Sequence, residues 1–263
     1  MLDELLDLAL DVAREAGELV RSRREDGVQV AATKSSITDV VTDADRASEA
    51  LILERVLAAR PDDGILGEEG SDTAGTSGVR WVVDPIDGTV NYFLGLPQYA
   101  VSIGVEVDGV VEVGVVVNAA SGEEFTAVRG RGATRNGRPI AVRAATTLER
   151  SLVSTGYNYE PQVRARQAAA VAELVVHVAD IRRFGSCALD LCALASGWSD
   201  GYVEEGCMPW DHAAGGLIAR EAGAVVEVLT GASGRALVVA APAPAYPDFL
   251  GLVRSCGFLG KDG

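Results

Sequence analysis

A two-residue period between residues 99 and 140 constrains the fold of this 263-residue chain more than any other feature. The segments VSIGVEV and VVEVGVVV fit β-strands, in which successive side chains point to opposite faces of a sheet. The pair Asp108-Gly109 between them suits a type I′ turn, and Asn136-Gly137 repeats that signal near the end of the region. The region therefore predicts an antiparallel sheet built from hairpins.

Two helices are expected before this sheet. Apolar residues recur at i, i+3, i+4 and i+7 over residues 2–24, which predicts an amphipathic helix. A polar loop over 26–42 is followed by a second helix over about 43–59, which Pro61 stops. With a short apolar strand at 80–83, the first half is interpreted as two helices against an antiparallel sheet.

The second half of the chain alternates between strand and helix patterns, which favours a layered α/β lobe. We therefore expect one domain over 1–263, made of an N-terminal α+β lobe (1–145) and a C-terminal α/β lobe (146–263). The expected strands are 151–155, 180–184, 201–205, 224–229 and 236–241, and the expected helices are 161–176, 187–196, 211–222 and a final one.

The net charge of −15, from 23 basic and 38 acidic residues, argues against a nucleic-acid or anionic-membrane partner, because phosphate surfaces attract basic proteins. The four cysteines form no CxxC pair and there are only two histidines, so a structural zinc site is not expected. The sequence has neither a signal peptide pattern nor a long unbroken apolar run. These features predict a reduced, cytoplasmic protein.

The most informative motif is WVVDPIDGT at 81–89, in which an apolar strand leads directly into two aspartates. Carboxylates at the end of a buried strand are costly unless something compensates their charge. The spacing of Asp84 and Asp87, with the Ile86 carbonyl between them, offers hard oxygen ligands that suit Mg²⁺. The Gly-Thr pair at 88–89 then looks like a helix start suited to phosphate. The alternative is an ordinary Asp-Pro turn.

Three other acidic positions could join the same site, and each also has a purely structural interpretation. Glu68 and Glu69 follow an apolar segment but also fit a solvated acidic loop. Asp211 opens a helix, where an acid is stabilised by the helix dipole. Asp45 lies three residues after Thr42, which is the spacing of a capping box.

Together these segments resemble the inositol monophosphatase family of Mg²⁺-dependent, lithium-sensitive phosphatases, and within it the bacterial, especially actinobacterial, inositol-1-monophosphatases. The resemblance covers nearly the whole chain and implies a five-layer α/β/α/β/α sandwich, usually a homodimer. It is carried by GEE at 67–69, DPIDGT at 84–89 with Asn91 following, WDHAAG at 210–215, KSS at 34–36 and DVVTDAD at 39–45.

The resemblance implies two to three Mg²⁺ ions, held mainly by the N-terminal lobe. The first ion would be bound by Glu68, Asp84 and the Ile86 carbonyl, and the second by Asp84, Asp87 and Asp211. A weaker third ion would contact Glu68 and waters. Phosphate would lie against these ions, so Glu68, Ile86, Asp87 and Asp211 also belong to the expected substrate site.

By the same resemblance, phosphate would also contact the backbone N–H groups of Gly88 and Thr89. Thr89, hydrogen-bonded to Asp45, would orient and help deprotonate the attacking water, which makes these two residues and Glu68 the expected catalytic residues. Lys34 would lie near the phosphate and the third ion.

The alcohol part of the substrate would meet Gly185, Ser186, Cys187 and Glu204. Glu204 matches the family because it lies seven residues before the aspartate of the WD motif, and its neighbour Glu205 is the competing candidate.

Two departures from the family pattern lie on this alcohol side. Cys187 replaces a residue that is often alanine, and Met208-Pro209 precedes the WD motif. They bear on alcohol specificity rather than on phosphatase chemistry. His177 and His212 are expected to be structural.

The expected activity is Mg²⁺-dependent hydrolysis of inositol 1-phosphate, a small phosphorylated polyol. Two alternatives stay open. One is the same chemistry on histidinol phosphate, fructose 1,6-bisphosphate or a nucleotide 3′-phosphate. The other is a non-catalytic regulatory binding module that keeps the fold.

Overall fold

The computed structural model describes residues 1–27, 30–33 and 40–260. Within those ranges the helices are α1 (Leu2–Glu25), α2 (Asp43–Ala59), α3 (Thr89–Leu94), α4 (Pro161–Leu174), α5 (Cys187–Ala195), α6 (Pro209–Glu221) and α7 (Tyr246–Ser255), with a 3₁₀ turn at Leu148–Arg150. The strands are β1 (Val30–Thr33), β2 (Val40–Thr42), β3 (Gly64–Gly67), β4 (Asp72–Thr73), β5 (Val79–Asp87), β6 (Ala100–Val107), β7 (Val110–Asn118), β8 (Glu124–Val128), β9 (Ala133–Arg135), β10 (Arg138–Ile140), β11 (Leu152–Thr155), β12 (Asp180–Arg182), β13 (Gly201–Glu205), β14 (Ala224–Thr230) and β15 (Ala236–Pro242).

The helices and sheets stack in five layers, α/β/α/β/α, as expected from the sequence. An eight-stranded sheet has the order β10-β9-β8-β7-β6-β5-β3-β4, and a five-stranded sheet has the order β12-β11-β13-β15-β14. Helices α1 and α2 cover the outer face of the first sheet. Helices α5 and α6 fill the space between the two sheets, and α4 and α7 cover the far face of the second sheet.

Strand β6 has large side chains on the face toward α1 and α2 and small ones on the face toward α6. Val101, Ile103 and Val105 are buried against α1 and α2. The alternate residues, which include Ser102 and Gly104, are small and face α6. Both faces of the strand are therefore buried, and the small face lets a helix approach the sheet closely.

The structure differs from the sequence interpretation in the first half at two places. Residues 30–33 and 40–42, expected within a polar loop, pair as an antiparallel two-stranded sheet, which their β-branched valines favour. The large sheet is mixed rather than antiparallel, because β3 pairs with β5 in parallel. The segment ILG that forms β3 was too short for its period to reveal a strand.

A pair of glycines seats helix α6 on the sheet. Gly104 and Gly114 are partners in the register of β6 and β7. A Cβ atom on Gly114 would lie 2.7 Å from the Ala214 carbonyl oxygen, and one on Gly104 would lie 2.9 Å from the Ala213 Cβ. Because both positions lack a side chain, helix α6, which begins two residues before Asp211, packs close to the sheet.

None of the helices in the described ranges combines the length and the apolar character that crossing a membrane requires.

We predict that Gly114→Ala lowers the free energy of unfolding by about 1–3 kcal/mol, because the added methyl group forces the α6 backbone away from the sheet. Urea unfolding followed by circular dichroism measures this. The matched control is Gly251→Ala in the exposed middle of α7, where a Cβ meets nothing within 4 Å. That change should stabilise the protein by about 0.5–1 kcal/mol, since glycine is unfavourable inside a helix. Equal effects of the two substitutions would contradict the close seating of α6.

Candidate active site

A cavity of about 370 Å³ lies where the C-terminal end of β5 meets the N-termini of α5 and α6. Acidic side chains and backbone from both halves of the chain line it. Ten of the residues expected at the site are among those that line it: Glu68, Asp84, Ile86, Asp87, Gly88, Thr89, Gly185, Cys187, Glu204 and Asp211.

A bulge in β5 brings two aspartates to one side of the strand. Asp84 pairs with Ser102 of β6 and Asp87 pairs with Ala100, so β5 has one residue more than its partner between these points. Residues three apart point to opposite faces of a regular strand, and the extra residue cancels this alternation. Pro85 occupies the bulge, where its missing N–H costs no ladder hydrogen bond.

Asp84 lies among other carboxyl groups. Its side chain is buried, and its Oδ1 accepts the Ile86 N–H at 3.0 Å. Burial raises its pKa well above the usual value, and the nearby charges of Glu68, Asp87 and Asp211 and a hydrogen bond with Glu68 raise it further. A buried carboxyl surrounded by other carboxyls needs a proton or a cation to balance it.

Asp87 is held by the N-terminus of α5. Its Oδ2 accepts the Ser186 hydroxyl at 2.6 Å and the Ala188 N–H at 2.7 Å. Burial raises its pKa to about 7 against these hydrogen bonds, which lower it, and the charge of Glu204 adds to the increase. Ser186, expected at the alcohol part of the substrate, is instead buried and turned toward this carboxylate.

Asp211 combines the two roles that its sequence position suggested. It is the third residue of α6, and its Oδ2 accepts the Met208 N–H at 2.6 Å, so it stabilises the first turn of the helix. The same side chain lines the cavity. Burial raises its pKa well above the usual value, as do the charges of Asp87 and Glu68.

Asp45 both caps a helix and contacts a residue that lines the cavity. It completes a capping box at the start of α2, where its Oδ2 accepts the Thr42 N–H at 2.8 Å and the Thr42 hydroxyl at 2.5 Å. Its Oδ1 accepts the Thr89 hydroxyl at 3.1 Å. Burial raises its pKa to about 6, although the hydrogen bonds from Thr42 lower it. The cap thus leaves one carboxylate oxygen directed at the site.

The structure separates the two glutamates that competed on the alcohol side. Glu205 Oε1 accepts the N–H and the hydroxyl of Ser233, at 2.8 and 2.6 Å, and so holds a neighbouring turn. Glu204 Oε2 accepts only the Tyr202 hydroxyl among the described contacts, at 2.8 Å, and burial raises its pKa. Both residues line the cavity, and Glu204 is the one whose carboxylate has fewer hydrogen-bond partners.

Cys187 lies beside these groups and is not suited to nucleophilic attack. Burial raises the pKa of its thiol well above the usual value, as does its interaction with Cys207. A thiol kept protonated is a poor nucleophile. His212 does not line the cavity, and burial lowers its pKa to about 4.

Several cavity residues carried no signal in the sequence, because no local pattern marks a side chain that reaches a site from a distant loop. Arg235 forms an ion pair with Glu160 at the outer end of the cavity. Arg183 lines the cavity near Glu204, and its charge lowers the pKa of that carboxyl. Lys34, expected near the phosphate, lies outside the described residues.

The donor set fits a hard divalent cation. It consists of carboxylate and carbonyl oxygens, which Mg²⁺ prefers, and their raised pKa values reflect charge that a cation would offset. Within the described ranges, no three histidine, cysteine, aspartate or glutamate side chains are already gathered as closely as bound metal requires. A metal site would therefore require these side chains to move closer together.

Comparisons with known proteins agree with this geometry. The sequence matches the inositol monophosphatase family over residues 1–253. It is 42% identical to the inositol-1-monophosphatase SuhB of Mycobacterium tuberculosis over 265 residues, covering 94% of this chain and 91% of the relative. It is 39% identical to the Nus factor SuhB of Haemophilus influenzae over 260 residues, which is 97% of each chain.

A solved structure shows the same fold. The extragenic suppressor protein suhB from Bartonella henselae superimposes with a TM-score of 0.86 at 34% identity, covering 96% of this chain and 98% of that one. The chain therefore belongs to the inositol monophosphatase family.

Proposed function

We propose that this protein is a Mg²⁺-dependent phosphomonoesterase that hydrolyses inositol 1-phosphate. The observation that carries the proposal is the convergence of the carboxyls of Asp84, Asp87 and Asp211 on one cavity, beside a hydroxyl that donates to the carboxylate of Asp45. Such a cluster is costly for a scaffold and useful for binding cations and a phosphate ester.

In this proposal Glu68, Asp84 and the Ile86 carbonyl hold one Mg²⁺, and Asp84, Asp87 and Asp211 hold a second. Bound Mg²⁺ would offset the negative charge of the phosphate and lower the pKa of water. The first N–H groups of α3 have no acceptor within their own helix, so Gly88 and Thr89 can donate to phosphate oxygens.

Thr89 and Asp45 handle the proton of the attacking water. The Thr89 hydroxyl lies 3.1 Å from Asp45 Oδ1 and 3.0 Å from the Ile86 carbonyl oxygen, and its one hydrogen can serve only one of them at a time. When it donates to Asp45, its lone pairs are free to accept a hydrogen bond from water and orient it toward phosphorus. With a pKa of about 6, Asp45 can take up a proton near neutral pH.

The alcohol part of the substrate would occupy the end of the cavity lined by Gly185, Cys187 and Glu204. A carboxylate such as Glu204 accepts hydrogen bonds from ring hydroxyls, which suits inositol. Arg183 and Arg235 at the same end give a reason to test esters with a second anionic group, such as fructose 1,6-bisphosphate.

A binding role is the second candidate, and the observation that favours it is that one relative is named a Nus factor. That name belongs to the relative. A partner of this chain would have to meet a surface whose net charge is −15, which disfavours direct phosphate-backbone contacts.

We predict phosphate release from inositol 1-phosphate in preference to histidinol phosphate, fructose 1,6-bisphosphate and adenosine 3′,5′-bisphosphate. Each ester is assayed with Mg²⁺, with EDTA and with added Li⁺. Activity should require Mg²⁺ and fall with Li⁺. Preference for another ester would overturn the substrate and keep the phosphatase, whereas no release from any of them would favour the binding role.

We predict that Asp84→Asn abolishes Mg²⁺-dependent turnover while the metal-free protein stays folded. The amide removes the charge that the cluster repels but cannot replace a shared carboxylate ligand. Turnover and the Tm with and without Mg²⁺ are measured, with Asp7→Asn on the exposed face of α1 as the matched control. Near wild-type turnover in Asp84→Asn would contradict the metal assignment.

We predict that Mg²⁺ stabilises the folded protein more at high pH than at low pH. The carboxyl of Asp87 has a folded pKa of about 7 against an ordinary 3.8, so the metal-free protein loses stability as pH rises from about 4 to about 7. Mg²⁺ binds the ionised carboxylates and should therefore raise the Tm of the wild-type protein more at about pH 8 than at about pH 5.

We predict that Thr89→Ala lowers kcat by about 10²–10⁴-fold, while the Mg²⁺ affinity changes little. The loss of the hydroxyl removes the group that orients water but none of the proposed carboxylate ligands. Thr89→Ser keeps the hydroxyl and should retain most activity, and Thr73→Ala on the exposed strand β4 is the control. Equal losses in kcat and Mg²⁺ affinity would mean that Thr89 serves the metal instead.

A further inference from the structure

One face of helix α2 touches three separate segments of the candidate site. Asp45, Ser48 and Glu49 follow the i, i+3, i+4 spacing that puts side chains on one side of a helix, and all three are buried. Asp45 accepts the Thr89 hydroxyl, and the Ser48 hydroxyl donates to the Pro85 carbonyl oxygen at 3.1 Å. Glu49 reaches the third segment, the turn that carries Glu68.

Glu49 binds this turn through three donors. Its Oε2 accepts the Glu69 N–H at 2.8 Å. Its Oε1 accepts the Ser71 hydroxyl at 2.6 Å and the Ser71 N–H at 3.3 Å. A buried carboxylate is costly unless hydrogen bonds satisfy its oxygens, and here both oxygens are satisfied by the two sides of one turn.

The same turn is tied to the strand that carries Asp84. The Gly67 N–H donates to the Ser71 carbonyl at 2.6 Å and closes the turn, and the Glu68 N–H donates to the Val83 carbonyl at 3.2 Å. Glu68 therefore lies between an anchor on β5 and an anchor on α2. Both contacts restrain its backbone.

Gly67 provides the space that Glu49 needs. A Cβ atom at this position would lie 2.6 Å from Glu49 Oε2 and 2.7 Å from its carboxyl carbon. The contact is with the end of a flexible side chain, so Gly67→Ala would displace the Glu49 carboxylate rather than the backbone.

We propose that Glu49 is a positioning residue that holds the turn over residues 67–71 and thereby sets the Glu68 carboxylate against Asp84. Glu49 does not line the cavity, so it acts through the turn and not on the substrate. The inference rests on the proposed function in one respect, that Glu68 is a Mg²⁺ ligand. The anchoring of the turn is a property of the metal-free chain.

The test compares Glu49→Gln with Glu54→Gln, the same chemical change on the exposed face of α2. In Glu49→Gln one of the two accepting oxygens is replaced by an NH₂ group, which cannot accept a hydrogen bond. The donors of either Glu69 or Ser71 therefore lose their acceptor. In the metal-free protein, hydrogen–deuterium exchange at Glu69 and Ser71 should speed up in Glu49→Gln and stay unchanged in Glu54→Gln. Gly67→Ala should reproduce the faster exchange with Glu49 intact.

The functional consequence is measured as Mg²⁺ binding by calorimetry. Glu49→Gln should weaken Mg²⁺ binding by about 10–100-fold, the usual effect of removing a residue that orients a ligand. At saturating Mg²⁺ most of the kcat should return, because the chemistry itself does not need Glu49. The Tm of the metal-free variant separates this effect from general unfolding.

Unchanged exchange at Glu69 and Ser71 would overturn the proposal. So would a lower Tm with unchanged Mg²⁺ affinity, because that result would make Glu49 merely structural. If the wild-type protein binds Mg²⁺ but hydrolyses no phosphate ester, the proposed function fails. The exchange and Mg²⁺-binding measurements still test whether Glu49 positions the turn.

Discussion

The burial of several carboxyl groups around one cavity is the constraint on which the rest of the structure depends. Asp84, Asp87 and Asp211 all have raised pKa values because burial and mutual repulsion disfavour their ionised forms. Each is held by the backbone close to it: Asp84 by the Ile86 N–H, Asp87 by the first turn of α5, and Asp211 by the Met208 N–H. These hydrogen bonds, local in the chain for Asp84 and Asp211 but between distant segments for Asp87, fix carboxyls that electrostatics alone would drive apart.

The fold supplies the positions of these groups through unusual backbone features. The bulge in β5 places two aspartates on one side of a strand, and the glycine pair beneath α6 sets the height of the helix that carries Asp211. The buried face of α2 fixes three further segments through Asp45, Ser48 and Glu49. Small residues and irregular strand geometry therefore set the positions of the acidic residues in the site.

Most helix boundaries could be predicted from the sequence, because hydrophobic period and helix caps are local signals, whereas the order of the five layers was implied by the family resemblance. The carboxyls that line the cavity were predictable as a set through the family resemblance, whereas spacing alone left Asp45 and Asp211 as helix-end residues. The structure shows why, since both stabilise the start of a helix, while Asp211 lines the cavity and Asp45 accepts the hydroxyl of Thr89, which lines it. The contact of Ser186 with Asp87 and that of Glu49 with the Glu68 turn join distant segments, and no local pattern encodes them.

The two ends of the cavity are built from different parts of the chain, which in the proposed function would separate phosphoryl chemistry from alcohol specificity. Residues of the first half and Asp211 line the acidic end, and the rest of the lining comes from residues 157–160, Arg183, Gly185, Cys187, residues 204–208, Trp210 and Arg235. Glu204 is the electrostatic link between the ends, because its charge raises the pKa of Asp87. If the proposed function holds, changes at the outer end, such as the Arg235–Glu160 ion pair, would alter which alcohol fits without moving the carboxyls. A change at Glu204 would affect both ends, since it would alter the proposed alcohol contacts and the charge that Asp87 experiences.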